Sequence, residues 1–234
     1  MMKSAAGVLA LMIAATPALA LDFTGGTVTL GYSALSDDGD LSKAGVAGQF
    51  EFGLTPQFGV QGDVGVTKFF DIGETMHDLT VHGIYHTNPN VAMGVFYGAE
   101  SGVGDTQRFY GFEVAQHSTP ISAELYLGRA DRSDLDGMIG GLSGRYALTP
   151  DFGVGLAYDR ADLEHQDLSR VALQADYAVL PNLKLGGEIG SFDGDTDTLS
   201  GRETYIGLNA EFTFGRQGDT TFGRRGVLNL IPGL

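Results

Sequence analysis

Ten carboxylates, Glu51, Asp63, Glu100, Glu113, Glu124, Asp159, Asp176, Glu188, Glu203 and Glu211, fall in alternating segments, opposite apolar neighbours, and Arg145, Arg170 and Lys184 are the main bases in the same register. Such a set makes and breaks no bonds; it sets up a field. Carboxylates projecting into a narrow aqueous space between low-dielectric walls concentrate cations and repel anions. The alternative for the three bases is that they neutralise neighbouring acids and brace the wall that carries them.

The elements that hold these residues are strands. Segments of about ten residues alternate between two faces, as in Val91, Met93, Val95, Tyr97 and Ala99 against Ala92, Gly94, Phe96, Gly98 and Glu100; a period of two is that of a β-strand. A second case is Val171, Leu173, Ala175, Tyr177 and Val179 against Arg170, Ala172, Gln174, Asp176 and Ala178.

Two kinds of connection alternate strictly. Short turns carry proline at Pro56, Pro89, Pro120, Pro150 and Pro181, and between them lie looser stretches rich in Asp and Gly, from Ser36–Ser42 to Phe192–Gly201. Proline presets the turn and ends the strand before it. The pattern predicts strands starting near Thr24, Lys43, Phe58, Met76, Val91, Arg108, Ile121, Met138, Gly153, Ser169, Lys184 and Glu203, an even number with both ends on one side.

The chain begins with Lys3, an apolar run from Ala5 to Ala15 and the small-residue sequence Ala18-Leu19-Ala20, the form of a cleaved secretory leader that is too short to span a bilayer. Maturation is expected to leave Leu21 first. Cys is absent, which excludes disulfides, thiolate metal sites and a lipid-modified terminus. With a net charge of −15, nucleic acid is excluded as a partner. No later window has the length and apolarity of a membrane helix, so a membrane is entered only by strands. A soluble β protein alternates too, with its apolar face inward. Here the apolar face is populated in nearly every strand while the other repeatedly carries Gly or charge, which suits lipid outside and water inside. Gly94, Gly98, Gly111, Gly128, Gly141, Gly155, Gly186, Gly190 and Gly207 on the polar face subtract side-chain volume and predict a narrow opening.

The units ALTPDFGVGLAYD (147–159) and AVLPNLKLGGEIG (178–190) resemble the turn-and-strand repeats of Gram-negative outer-membrane barrels, with the porins of alphaproteobacteria as the family suggested. The final strand ETYIGLNAEFTF (203–214), with Gly207, Phe212 and Phe214, is similar to the assembly signal of that class, which implies insertion by the barrel-assembly machinery. The chain departs from the class by continuing from Gly215 to Leu234, a basic stretch with Arg216, Arg224 and Arg225 against Asp219. It is expected as a disordered or periplasm-bound tail; the competing reading folds Arg224 and Arg225 back into an acidic periplasmic mouth as a gate.

Catalytic and metal-binding patterns fail. His77, His82, His86, His117 and His165 accompany abundant Ser and Asp, but an outer-membrane lipase needs Ser and His on neighbouring lipid-facing positions. His82 and His86 read as inward and His117 adjoins a tight turn. Omptin-like proteases need their Asp and His in long rim loops, and these loops are short. Asp193, Asp195 and Asp197 alternate as in a calcium loop, yet Thr198 and Thr204 stand where Gly and Glu are required.

These readings define an all-β, transmembrane, antiparallel up-and-down β-barrel of about 12 strands with both termini periplasmic: leader 1–20, barrel 21–214 and periplasmic C-terminal tail 215–234. The function they predict is passive, cation-preferring diffusion of small hydrophilic solutes, with Glu51, Asp63, Glu113, Glu124, Arg145, Arg170, Asp176, Lys184, Glu188 and Glu211 lining the pore. No cofactor and no catalysis are expected. The expected partners are outer-membrane lipid and lipopolysaccharide, the assembly machinery, and small ions and solutes; periodicity leaves the oligomeric state open. A non-conducting structural or adhesive barrel is the alternative, ahead of an outer-membrane lipase or protease.

Overall fold

A computed structural model describes residues 21–36, 42–102, 106–132, 136–164, 166–195 and 200–232. The leader, His165, Asp197, Thr198 and parts of five of the six Asp- and Gly-rich loops lie outside the described residues. Twelve strands follow one another in chain order: β1 (Asp22–Leu35), β2 (Ser42–Gly53), β3 (Phe58–Phe69), β4 (Thr75–Asn88), β5 (Val91–Ser101), β6 (Thr106–Ser118), β7 (Ile121–Asp131), β8 (Gly137–Ala147), β9 (Phe152–Leu163), β10 (Gln166–Leu180), β11 (Leu183–Asp195) and β12 (Ser200–Phe214). Each pairs antiparallel with its neighbours, and β1 closes on β12 from Gly26 opposite Phe214 to Leu35 opposite Tyr205. Closure removes both sheet edges, so no strand backbone is left unpaired against an apolar medium.

The tight turns explain themselves locally. In Thr55-Pro56-Gln57-Phe58 the Leu54 amide donates to the Phe58 carbonyl at 2.8 Å while the Thr55 hydroxyl accepts from the Phe58 amide at 3.0 Å. Thr149-Pro150-Asp151-Phe152 repeats the device, with 2.9 Å and 3.0 Å for the same bonds. A hydroxyl that caps the backbone two or three residues on, behind a proline that fixes φ, holds the hairpin without a long loop.

Strands of 11 to 15 residues reach at least about 37 Å, enough for a tilted crossing of a hydrocarbon layer. Their outer face is apolar: Leu30, Val64, Leu79, Phe112, Leu156, Leu173 and Leu208 are all exposed, Phe112 to 73%. At the tight-turn rim, Phe23, Phe50, Phe52 and Phe214 touch one another, and Phe58 packs on Tyr85, an aromatic girdle at one edge of the apolar band. The apolar face is therefore the outer one. That is the reverse of a soluble barrel.

Beyond Phe214 the chain does not leave the barrel. Gly215 (φ 94°) and Gly218 (φ 82°) occupy the left-handed region, which a side chain would strain, and they turn the backbone inward. The Gln217 amide donates to the Thr24 carbonyl at 2.8 Å and the Gly26 amide to the Gly218 carbonyl at 3.1 Å. The tail expected outside the barrel is thus corrected for its described part, residues 215–232: it runs up the lumen, because an acidic inner wall and an apolar inner cluster receive it.

Candidate functional site

All ten carboxylates of the sequence pattern face the interior, as do Arg145, Arg170 and Lys184, and the parity of the strands divides them into two regions. On β8–β12 the wall charges pair among themselves. Arg145 donates through Nε and a terminal nitrogen to the two oxygens of Asp176, both at 2.6 Å. Arg170 meets Asp159 at 2.8 Å and Glu188 at 3.5 Å, and Gln174 adds a bond to Glu188 at 3.0 Å. Lys184 meets Glu211 at 3.0 Å and, from the C-terminal segment, Asp219 at 3.6 Å. The Arg170 and Lys184 pairs join adjacent strands and the bidentate Arg145–Asp176 pair reaches from β8 across β9 to β10, the geometry of a braced wall. A cavity of about 520 Å³ opens beside them, lined by Lys43, Arg145, Arg170, Lys184 and Arg224 together with Asp176, Glu188, Glu211 and Asp219.

On β2–β7 the acids instead hold the C-terminal segment, in an order that climbs from the turn end of the barrel to the loop end. Glu51 accepts from the Thr221 amide at 2.7 Å. Gln61 donates to the Phe222 carbonyl at 2.8 Å and accepts from the Phe222 amide at 3.0 Å, while Gln49 donates to the same carbonyl at 3.0 Å. Glu124 accepts from the Gly223 amide at 3.0 Å. Arg224 pairs with Asp78, and Arg225 with Glu113 at 2.9 Å and with Glu124. Glu100 accepts from the amides of Val227 and Leu228 at 3.1 and 3.0 Å. Lys43 then reaches the carbonyls of Leu228, at 2.7 Å, and Ile231.

Two apolar features complete the seat. The Phe222 ring is buried with Ile84, Ala92 and Ala115 and stacks on His82 at 6.0 Å between centroids. Val227 and Leu230 join Phe109, Phe192, Tyr205, Leu163 and Leu168 in a cluster inside the barrel at its loop end. Arg225 also lies over the Tyr126 ring, 4.5 Å from its centre, which keeps a buried cation against a π face. His82 bridges Glu113 at 2.7 Å and Asp63 at 3.0 Å, tying β3, β4 and β6 beneath the segment.

The glycine expectation is corrected at Gly94 and Gly111, whereas Gly186 and Gly207 do line the open cavity. A side chain at Gly94 would stand 2.6 Å from the Phe222 ring, one at Gly111 2.7 Å from Phe96. The room these residues leave is filled by aromatic rings and does not form an opening there. Among the residues that matter, Lys43, Gln49, Gln61, Asp78 and the receiving role of Glu100 were missed from the candidate set. The signal was present: Asp78, Thr80 and His82 share a face by parity, as do Lys43, Gln49 and Glu51. Only their partner in a distant segment was invisible.

Among the described residues no three His, Asp or Glu side chains gather to hold a metal ion, and His82, the most engaged histidine, is wholly buried between carboxylates. What the site can do is bind and sort charge.

Similar architectures are known. The KdgM porin superimposes with a TM-score of 0.62 at 13% identity, covering 80% of this chain and 99% of that one. The NanC porin gives 0.57 at 11%, covering 80% and 98%, and an outer membrane channel from Pseudomonas putida F1 gives 0.55 at 13%, covering 86% and 100%. No protein-family profile matches the chain, and no curated protein matches it in sequence. With its closed register and polar interior, the fold is that of a porin-like outer-membrane barrel.

Proposed function

We propose that the protein is an outer-membrane channel for passive diffusion of small hydrophilic solutes, narrowed by its own C-terminal segment. The observation that carries this is the inner wall: charged side chains on β2–β12, with about 520 Å³ left open beside the seated segment. The leader exports the chain, the assembly machinery inserts it, lipid and lipopolysaccharide surround it, and the tight-turn rim with both strand termini faces the periplasm. The carboxylates give the lumen its preference for cations, but the seated segment spends those on β2–β7. What remains around the cavity is an opposed set of acids and bases, as in a constriction that sorts by dipole more than by net charge.

A second reading, a closed structural barrel, is favoured by the apolar cluster that Val227 and Leu230 complete at the loop end. Single-channel conductance and reversal potential in planar bilayers under a potassium chloride gradient separate the two. The wild-type chain is expected to give small openings with weak ion preference. The Arg224→Gln, Arg225→Gln double variant, which frees Asp78, Glu113 and Glu124, is expected to conduct more and to shift the reversal potential toward cations. Insertion of both proteins without any current would leave the structural reading.

A further inference from the structure

We infer that the β2–β7 wall is a peptide-recognition track, that residues 220–228 occupy it as a tethered stand-in, and that the ligand class it takes is a basic peptide with an aromatic residue ahead of paired arginines. This deepens the channel reading and rests on the part of it that makes the lumen open to solutes at the tight-turn rim, whether or not the barrel conducts from end to end.

An acidic wall alone would attract any cation. This wall does more, because it reads main chain. The Gln61 amide, wholly buried, both donates to and accepts from Phe222, so it matches the main-chain donor and acceptor of one residue where the segment bends. Gln49 backs it on the same carbonyl, and His117 Nε2 lies 2.9 Å from the Thr221 carbonyl. Glu51, Glu124 and Glu100 accept successive peptide amides along the track. Satisfying a peptide's main-chain donors and acceptors supplies affinity, and pockets for its side chains supply specificity. Here the pockets are an aromatic slot under Phe222 and two guanidinium seats, Asp78 and the Glu113–Glu124 pair. The track is also reachable: a cavity of about 1090 Å³ at the tight-turn rim is bordered by Glu51, His117, Thr220 and Thr221, where the seat begins.

A tethered ligand competes at an effective concentration of the order of millimolar, so a free peptide is excluded from the wild-type barrel unless the tether is weakened. The test therefore uses the full-length chain with Arg224→Gln and Arg225→Gln, refolded in detergent, with heat-modifiable gel mobility as the check of folding. The probe is a dye-labelled synthetic peptide copying residues 220–228, read by fluorescence anisotropy. Binding to the variant is expected to be at least tenfold tighter than to wild type, and at least tenfold tighter than that of a scrambled peptide of the same composition. Equal binding of the two peptides, or equal binding to variant and wild type, would overturn the inference and leave only attraction of positive charge. Should the double variant not fold, Phe222→Ala in the full chain empties the aromatic slot, and the same comparisons apply. Conductance is scored separately: peptide binding without current would overturn the channel reading and leave the track standing, and current without specific binding the reverse.

Discussion

Arg225 is the side chain on which the interior turns. It is 4% exposed, and it satisfies Glu113, itself buried, together with Glu124. Burying a guanidinium costs several kcal/mol of hydration, returned only if the carboxylates it meets are well placed. Here one oxygen each of Glu113 and Glu124, the Arg224 carbonyl at 3.3 Å and the Tyr126 face supply that. Removing one member leaves its partner charged, buried and alone, which in comparable pairs costs about 3–5 kcal/mol. Arg225→Gln is therefore expected to lower the urea unfolding free energy of the barrel in micelles by about that amount. Glu113→Gln combined with Arg225→Gln should cost clearly less than the two single changes together, since the coupled charges leave as a pair. Strict additivity in this cycle would mean that the Glu113–Arg225 contact carries no coupling energy.

At the scale of the strand, the determinant is which face meets lipid. Leu208 lies in the middle of β12, 62% exposed on the outer face. A charge there would stand near the bilayer midplane, where Arg costs about 2–4 kcal/mol in outer-membrane barrels. Leu208→Arg should lose that much in lipid vesicles, whereas a barrel that lived in water would tolerate it; an unchanged urea midpoint would argue against a membrane-facing surface. The strands themselves were legible because each carries its period of two over ten or more residues and each turn announces itself, as Thr55-Pro56 and Thr149-Pro150 do. Observed starts at Ser42, Phe58, Val91 and Ile121 fall within a residue of the sequence expectation. Parity also put Glu51, Asp63 and Glu113 on the inner face. What parity does not carry is partnership across the lumen. Asp78 and Arg224 are 146 residues apart, and the C-terminal segment has no alternation to read, only two arginines, an aromatic ring and a few aliphatic residues set against an acidic barrel. Its docking is a matter of complementary charge and cavity shape, decided after the barrel exists.

For the whole molecule, a segment that enters at one rim and ends among the apolar residues at the other should be protected in a graded way. Arg216 sits at the entrance, its side chain 67% exposed in a pair with Asp22, where an exposed pair is held weakly. Arg224 and Arg225 are enclosed by the wall. Trypsin cuts chain that is exposed or locally opened, so cleavage at each arginine reports how far the segment must leave its seat. In the folded wild-type barrel, mass spectrometry after brief digestion is expected to find cleavage following Arg216 and none following Arg224 or Arg225. Because Glu51, Gln61 and Glu100 hold main chain on both sides of the arginines, the severed segment should remain bound in micelles and be released only on heating or in urea. Glu100→Gln, which weakens the grip on the Val227 and Leu228 amides without touching either arginine, should raise the rate of cutting at Arg225. Immediate cleavage at all three arginines in the wild-type protein would mean that the segment spends most of its time outside the lumen, and the barrel would then have to be treated as an open acidic channel.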